Sequence, residues 1–193
     1  MARIKLPDEL KKAISLMPDR EKDKLLFRLI AKDPMLAEQL VFKLLEGGES
    51  TEDRRTDVRQ LIEKHYEGYA PFFHSPGYLL LEMRHLSGRI SEHVRTTRDK
   101  YGEVELNLLL LIRPLEMFGK KISQATPRRS QTLNQYVVNR TIKLLSLLEK
   151  LHEDHRLDFQ ESLEKLARFI RQQPAMMDVA VDLGLELEEL GGN

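Results

Sequence analysis

The chain contains no cysteine among its 193 residues. This absence excludes a disulfide framework, a thiolate metal site and a cysteine nucleophile. Small domains in oxidising compartments often depend on disulfide bonds for stability. The lack of cysteine therefore favours a cytoplasmic protein.

Long apolar runs are also missing. The longest strongly apolar run covers five residues, 108–112, whereas a membrane-spanning helix needs about 20. Residues 1–7 contain no apolar core of the length found in signal peptides. From these two absences we expect a protein that is neither exported nor embedded in a membrane.

The sequence has no excess of charge of either sign, because 31 Lys and Arg residues balance 31 Asp and Glu residues. A globally basic nucleic-acid binder and an acidic scaffold are both disfavoured by this balance. Charged residues make up 32% and hydrophobic residues 41%, which is typical of a globular chain and not of a disordered one. The length corresponds to one domain, or to one domain with a small appendage.

The short motifs of common enzyme families are absent. There is no GxxxxGK[ST] phosphate loop, no GxGxxG turn after a strand and no HExxH zinc motif. No histidine has an evident Ser and Asp partnership in sequence, although the members of a catalytic triad need not be neighbours in sequence. We therefore expect no cofactor, and a non-catalytic protein is favoured over an enzyme.

What the sequence does contain is strong helical patterning. The pairs Asp33-Pro34, Ser75-Pro76 and Thr126-Pro127 each place a capping side chain before a proline, as at the start of many helices. Apolar residues recur between these points with a helical period. The predicted helices cover about 7–17, 19–32, 34–46, 51–67, 76–100, 103–120, 130–153, 159–172 and 175–190.

These helices predict an all-α fold, an irregular multi-helix bundle of about nine helices. The helix over 103–120 is apolar nearly all round and should lie at the centre, with a kink or a restart at Pro114. A buried strand over 104–112 is the rival interpretation, but no other segment offers a partner strand. An α-solenoid of stacked helix pairs is the alternative architecture.

The polar segment after residue 46 is the expected internal boundary. Residues 1–48 are predicted to form a short N-terminal subdomain of three helices, and residues 49–193 the main bundle, packed as one unit. The aromatic connector over 69–74 is expected to pack its rings under the helices and not to bind a ligand.

Two Glu-x-x-His segments have the spacing of ligands in di-metal helical bundles. These are Glu82 with His85, and Glu149 with His152. On a helical wheel His85 points away from the apolar stripe of its helix, whereas His152 lies on the apolar side near a helix end. The sequence thus predicts no metal site, with Glu149 and His152 as weak candidates, and a metal-dependent helical enzyme is the least favoured function.

A basic segment joins the predicted helices over 103–120 and 130–153. This loop, 119–130, carries Lys120, Lys121, Arg128 and Arg129, and such a loop beside a helix start can bind phosphate groups. The alternative is a solvated loop, or one that pairs with the acidic C-terminal helix. That helix contains Asp178, Asp182, Glu186, Glu188 and Glu189.

A charge-neutral helical chain without catalytic motifs most economically serves as a protein–protein interaction module. Its partner is an unknown protein or a second copy of the chain. The alternative function is binding of nucleic acid or another polyanion by the 119–130 loop. Salt distinguishes the two, because phosphate contacts weaken steeply with salt and an apolar interface does not.

Overall fold

Helices dominate the computed structural model, which describes residues 4–191. This part of the chain holds ten α-helices and no strand, so the all-α prediction is confirmed. The backbone divides into two compact units, residues 1–47 and 48–193. Gly47 and Gly48 stand at the division with φ angles of 63° and 78°, a left-handed conformation that glycine adopts without steric cost.

The N-terminal unit consists of three short helices and a π-helical turn. Asp33 caps the third helix, because its carboxylate accepts a hydrogen bond from the Leu36 N–H at 3.1 Å. Phe42 is the one buried hydrophobic residue among residues 4–47. The elements are α1 (Asp8–Leu16), α2 (Asp19–Ile30), α3 (Pro34–Leu40) and the turn over Val41–Leu45.

The main bundle is built around one long helix, α6, which packs against α4, α5, α7 and α9. This arrangement fits the predicted multi-helix bundle with the apolar helix at its centre. The elements are α4 (Thr51–Tyr69), α5 (Pro76–Thr97), α6 (Lys100–Ser123), α7 (Pro127–Leu148), α8 (Glu153–Leu157), α9 (Gln160–Arg171) and α10 (Pro174–Asp182), with short 3₁₀ turns over Ala70–Phe72 and Leu187–Leu190.

Helix α6 continues through Pro114, so the predicted restart does not occur. A proline inside a helix removes one hydrogen bond and crowds the preceding turn, at a cost of about 3 kcal/mol. Residues on both sides of Pro114, such as Ile112 and Leu115, are buried. Their burial offsets the local cost and keeps the helix in one piece.

The junction between α5 and α6 lies earlier than predicted. Helix α5 ends at Thr97, and Arg98 adopts a left-handed conformation with φ of 60°. Asp99 then caps α6, because its carboxylate accepts a hydrogen bond from the Gly102 N–H at 2.8 Å. Gly102 lies in the gap between the predicted helices over 76–100 and 103–120, but in the structure it is the third residue of α6.

Two predicted helices are each divided in the structure. The helix over 130–153 ends at Leu148, and His152 begins α8 by accepting a hydrogen bond from the Asp154 N–H at 3.4 Å. The helix over 175–190 ends at Asp182, and Gly184 follows with φ of 70°. That turn allows the segment beyond it to bury Leu187 and Leu190.

The aromatic connector packs two of its three rings on α6. The rings of Phe73 and Phe118 stack with centroids 4.9 Å apart, and Tyr69 meets Phe118 edge-on at 5.8 Å. Phe72 is exposed. The expected packing is therefore observed for Tyr69 and Phe73 but not for Phe72.

Asp99 also joins a buried cluster of charges at the start of α6. Its carboxylate lies 3.2 Å from His93 Nε2 and 3.4 Å from Arg55 Nε. Burial alone would raise the pKa of Asp99, but the hydrogen bonds from His93 and from the Gly102 N–H, together with the charge of Arg55, outweigh it. The pKa of Asp99 is therefore below its ordinary value.

Replacing Gly102 by alanine should destabilise the bundle. An alanine Cβ would lie 2.7 Å from Asp99 Cγ and 2.8 Å from Arg55 Cδ, and neither group can move without breaking the cap and the ion pair. We expect Gly102→Ala to lower the free energy of unfolding by about 1–3 kcal/mol. Gly88→Ala is the control, because nothing lies within 4 Å of its Cβ, and it should stabilise helix α5 by about 0.5–1 kcal/mol. Urea unfolding measures both, and equal effects would contradict the steric argument.

Asp99 should contribute to stability in a pH-dependent way. A carboxyl group whose pKa is lowered by folding stabilises the protein above its unfolded pKa of about 3.9. That contribution is lost as the pH falls through the lowered folded value. Asn caps helices as well as Asp does, so Asp99→Asn removes the charge and keeps the cap.

The difference in stability between the wild type and Asp99→Asn should therefore shrink as the pH falls from 6 to 3. The control is Asp57→Asn, which changes an exposed carboxylate of α4. Its difference from the wild type should stay small and flat. Thermal unfolding followed by circular dichroism measures both, and a pH-independent difference for Asp99→Asn would contradict the assignment.

Candidate functional site

The predicted basic loop is mostly helical. Lys120 and Lys121 lie in the last turn of α6, Arg128 and Arg129 lie in the first turn of α7, and only residues 124–126 connect the two helices. The prediction of a loop over 119–130 was wrong, because Lys is a good helix former that is favoured at a helix C-terminus. The four basic side chains lie in two helical turns on either side of a three-residue link.

The charges of this basic corner, Lys120, Lys121, Arg128 and Arg129, face solvent. All four side chains are exposed, and none of them forms an ion pair with any residue in the described range 4–191. Lys121 Nζ lies 5.2 Å from the centroid of the Phe73 ring, a cation–π contact. The alternative, in which these side chains pair with the acidic C-terminal segment, is not observed for residues 4–191, although α10 packs against α7.

A cleft of about 280 Å³ lies beside the basic corner, between the beginnings of α7 and α10. Its wall includes the polar residues Ser130, Asn134 and Gln173, all of them buried. Gln173 Nε2 donates to the Gly119 carbonyl at 2.9 Å, and Asn134 Nδ2 donates to Ser130 Oγ at 3.4 Å. Asn134 Oδ1 is buried without a hydrogen-bond partner.

Sequence reasoning did not find this cleft. Its two helix starts are separated by more than 40 residues, and apolar periodicity contains no information on which helix ends meet. One signal was present, because Thr126-Pro127 and Gln173-Pro174 both mark helix starts. That signal locates the start of each helix but does not indicate that the two starts lie close together in the fold.

A larger cleft of about 500 Å³ lies between α4, α6 and α9. Its floor is apolar and includes Leu108 and Phe159. Its charged rim is largely paired, since Arg59 donates to Glu105 at 2.8 Å and Lys165 pairs with another glutamate of α6. The rim therefore offers little free charge to a ligand.

The weak metal candidates do not come together. Glu149 follows the end of α7 and His152 begins α8, so the two do not share a helix face. Both side chains are exposed, and His152 Nδ1 lies 3.2 Å from the Asp154 carboxylate. Across residues 4–191, no group of three His, Asp or Glu side chains is arranged to hold a metal ion.

The other Glu-x-x-His segment is engaged with α4. The Glu82 carboxylate forms a hydrogen bond with His65 Nε2 at 2.6 Å. The His85 ring is exposed, with its centroid 5.9 Å from that of His65. Glu82 thus has a partner on a neighbouring helix, and His85 points to solvent as the helical wheel predicts.

The N-terminal unit presents a second surface of interest, because most of its large apolar side chains are exposed. Helices α1 and α2 contain no buried residue. The main bundle is about three times longer, yet it exposes only six such residues in its described part. The exposed large apolar residues of the N-terminal unit are Ile4, Leu6, Leu10, Ile14, Leu16, Leu26, Phe27, Leu29, Leu44 and Leu45.

No protein-family model, no curated protein sequence and no solved structure matches the chain. Among residues 4–191, no helix combines the length and the apolar character that crossing a lipid bilayer requires. The fold and its surfaces thus define the class of this protein as a multi-helix bundle with an exposed apolar N-terminal unit and a basic corner.

The basic corner should be dispensable for folding. Changing Lys120, Lys121, Arg128 and Arg129 together to glutamine removes four exposed charges that have no ion pair, so we expect a total change in stability below about 2 kcal/mol. The control is Arg140→Gln, because Arg140 Nε donates to the buried Asn107 Oδ1 at 2.8 Å. That single change should cost about 1–3 kcal/mol. The melting temperatures of both variants test this prediction. A large fall in the melting temperature of the quadruple variant would show that the four charges stabilise the fold.

Proposed function

We propose that this chain is a non-catalytic protein-interaction module and that its N-terminal unit is the contact surface. The exposed apolar side chains on α1, α2 and the turn over Val41–Leu45 carry the proposal. Short helices with one apolar face are marginal in water unless that face is covered. Exposed apolar patches of this kind mark interaction sites on folded proteins.

The size of the unit supports an intermolecular role. A segment of 47 residues is close to the lower limit of about 40 residues at which a chain can build its own core without staples. Phe42 is its one buried hydrophobic residue in the described part. Further burial requires apolar surface from elsewhere, and the exposed leucines of α2 are suited to provide the contact.

The occupant that we propose for this surface is a second copy of the chain. Residues 1–47 contain ten basic and eight acidic residues, so two units carry little net charge and do not repel each other strongly. Two copies of this 47-residue unit supply 94 residues, which exceeds the roughly 55–65 residues at which small domains fold alone. Paired copies related by a twofold axis are the commonest form of soluble oligomer.

The lack of cysteine supports a cytoplasmic location for such a module. The same composition is compatible with reversible association, because no disulfide bond between copies can form. Apolar contact also makes the association tolerant of salt. This tolerance distinguishes it from binding of a polyanion, which falls steeply as salt is added.

Leu26 of α2 provides the sharpest test. Its exposed fraction is 50%, close to the 56% of Leu81 on α5 of the main bundle, so the two leucines are matched controls. Leu26→Glu should weaken self-association at least tenfold, which corresponds to about 1.4 kcal/mol, because a charge enters an apolar contact. Leu81→Glu should leave association unchanged. Light scattering over a range of protein concentrations measures both, and circular dichroism checks the fold.

Other outcomes identify other occupants. A wild-type chain that stays monomeric at all concentrations would contradict pairing with a second copy. If a purified protein then binds to the wild type and to Leu81→Glu but not to Leu26→Glu, the contact surface is retained with a different partner. Equal effects of the two substitutions would overturn the assignment of the N-terminal unit.

A further inference from the structure

The central helix α6 keeps one strip of surface that its neighbouring helices leave uncovered. Between residues 104 and 115, every residue of α6 is buried except Glu105, Leu109 and Arg113. These three residues follow one another at intervals of four, so they share one face of the helix. All three line the cleft of about 500 Å³ between α4, α6 and α9. A ligand in this cleft would therefore contact the central helix directly.

Ion pairs join α4 to this strip in a regular register. Arg59 donates to Glu105 at 2.8 Å, and Arg113 donates to Glu67 at 3.4 Å. In both pairs the two partners are 46 positions apart in sequence. A constant offset means that α4 and α6 run parallel at this point, with matching turns side by side.

Glu63 is the position at which this register pairs no opposite charges. It lies one helical turn from Arg59 and one from Glu67, and the same offset places it beside Leu109 of α6. Glu63 is partly buried and lines the cleft, and its carboxylate has no hydrogen bond or ion pair within residues 4–191. A carboxylate that is partly removed from water gains from a cationic hydrogen-bond donor. The missing partner of Glu63 is therefore a cation.

The charges in the wall of the cleft leave Glu63 as the single excess charge. The wall contains three basic and four acidic residues, and six of these seven form ion pairs with one another. The six are Arg59 with Glu105, Arg113 with Glu67, and Lys165 with Glu116. One negative charge remains, so a ligand that carries one positive charge completes the balance.

The floor of the same cleft is apolar. Leu108, Ile112 and Phe159 are buried in it, and Leu109 is partly exposed. An inorganic cation would leave this surface in contact with water, whereas an organic cation removes apolar area from water as it binds. The volume of about 500 Å³ lies within the range of roughly 300–1,000 Å³ that is typical of small-molecule sites.

We propose that the cleft between α4, α6 and α9 binds a small primary amine with an apolar body. The ammonium group has three hydrogen-bond donors and donates to the Glu63 carboxylate. The apolar body covers Leu109 and the floor beside it. This site belongs to the main bundle and does not depend on the function proposed for the N-terminal unit.

Calorimetric titration of the full-length chain tests the proposal with phenethylamine and three related probes. Phenethyl alcohol lacks the charge, ethylamine lacks the apolar ring, and phenylacetate reverses the charge. Phenethylamine should bind and raise the melting temperature. Each of the other three should bind at least tenfold more weakly, because each lacks either the cation or the apolar body.

Two variants connect the binding to the cleft. Glu63→Gln keeps the size of the side chain and removes its charge, so the affinity for phenethylamine should fall at least tenfold. The melting temperature of the free protein should change little, because the carboxylate has no ion pair to lose. Leu109→Lys places a cation of the chain itself beside Glu63, and it should abolish binding.

Glu103→Gln is the matched control for Glu63→Gln. Glu103 of α6 is also partly buried and has no ion pair within residues 4–191, and it lies outside the wall of the cleft. This variant should bind phenethylamine with the affinity of the wild type.

The proposal is overturned if phenethylamine does not bind at millimolar concentration, or if Glu63→Gln and Glu103→Gln bind it equally. It is also overturned if phenethyl alcohol binds as tightly as phenethylamine, since the charge of Glu63 would then be irrelevant. A short peptide with one lysine and blocked ends is a further probe. If only that peptide binds, the cleft receives a protein side chain and not a free amine. Should Leu109→Lys fail to fold, Glu63→Gln and its control still decide the question.

Discussion

The exclusion of water from most of the circumference of α6 is the constraint on which the rest of the bundle depends. Its buried residues, from Val104 to Ile122, cover all of the helix except the stripe that contains Glu105, Leu109 and Arg113, so no single neighbouring helix can cover them. Four helices surround it, and each contributes an apolar stripe while turning its charged face outward. Interruption at Pro114 is tolerated for the same reason, because the burial on either side of the proline exceeds the local cost of a missing hydrogen bond.

Polar groups at the helix junctions position this core. Asp99 caps α6 and holds Arg55 of α4 and His93 of α5, so the start of the central helix is fixed to two of its neighbours. At the other end of the chain, Gln173 donates to the Gly119 carbonyl and connects the start of α10 to α6. A paired polar group at a junction specifies one arrangement of helices, where apolar contact alone allows several. Asn134 differs from these groups, because its Oδ1 is buried without a hydrogen-bond partner.

The existence of nearly every helix could be predicted from the sequence, because prolines after capping residues and a 3.6-residue period are local signals. The helix ends near residues 98 and 150 could not be predicted, since they depend on contacts with side chains outside the local helical pattern. Arg156 donates to the Leu148 and Glu149 carbonyls and so completes the end of α7, a contact that no local pattern indicates. The exposure of the four basic side chains could be predicted from their charge. The cleft beside them could not, because it forms only where α7 packs against α10.

The connectors of the main bundle have a consequence for how the chain folds. Helices α5, α6 and α7 are consecutive in sequence and pack against one another, so they can assemble through short loop closures with little loss of chain entropy. Helices α9 and α10 contact α6 and α7 across a longer stretch of chain, and these contacts of greater sequence separation form more slowly. The cleft, which needs both α7 and α10, is therefore completed only when the last helix docks, and a nascent chain lacks it until its C-terminal segment has been synthesised.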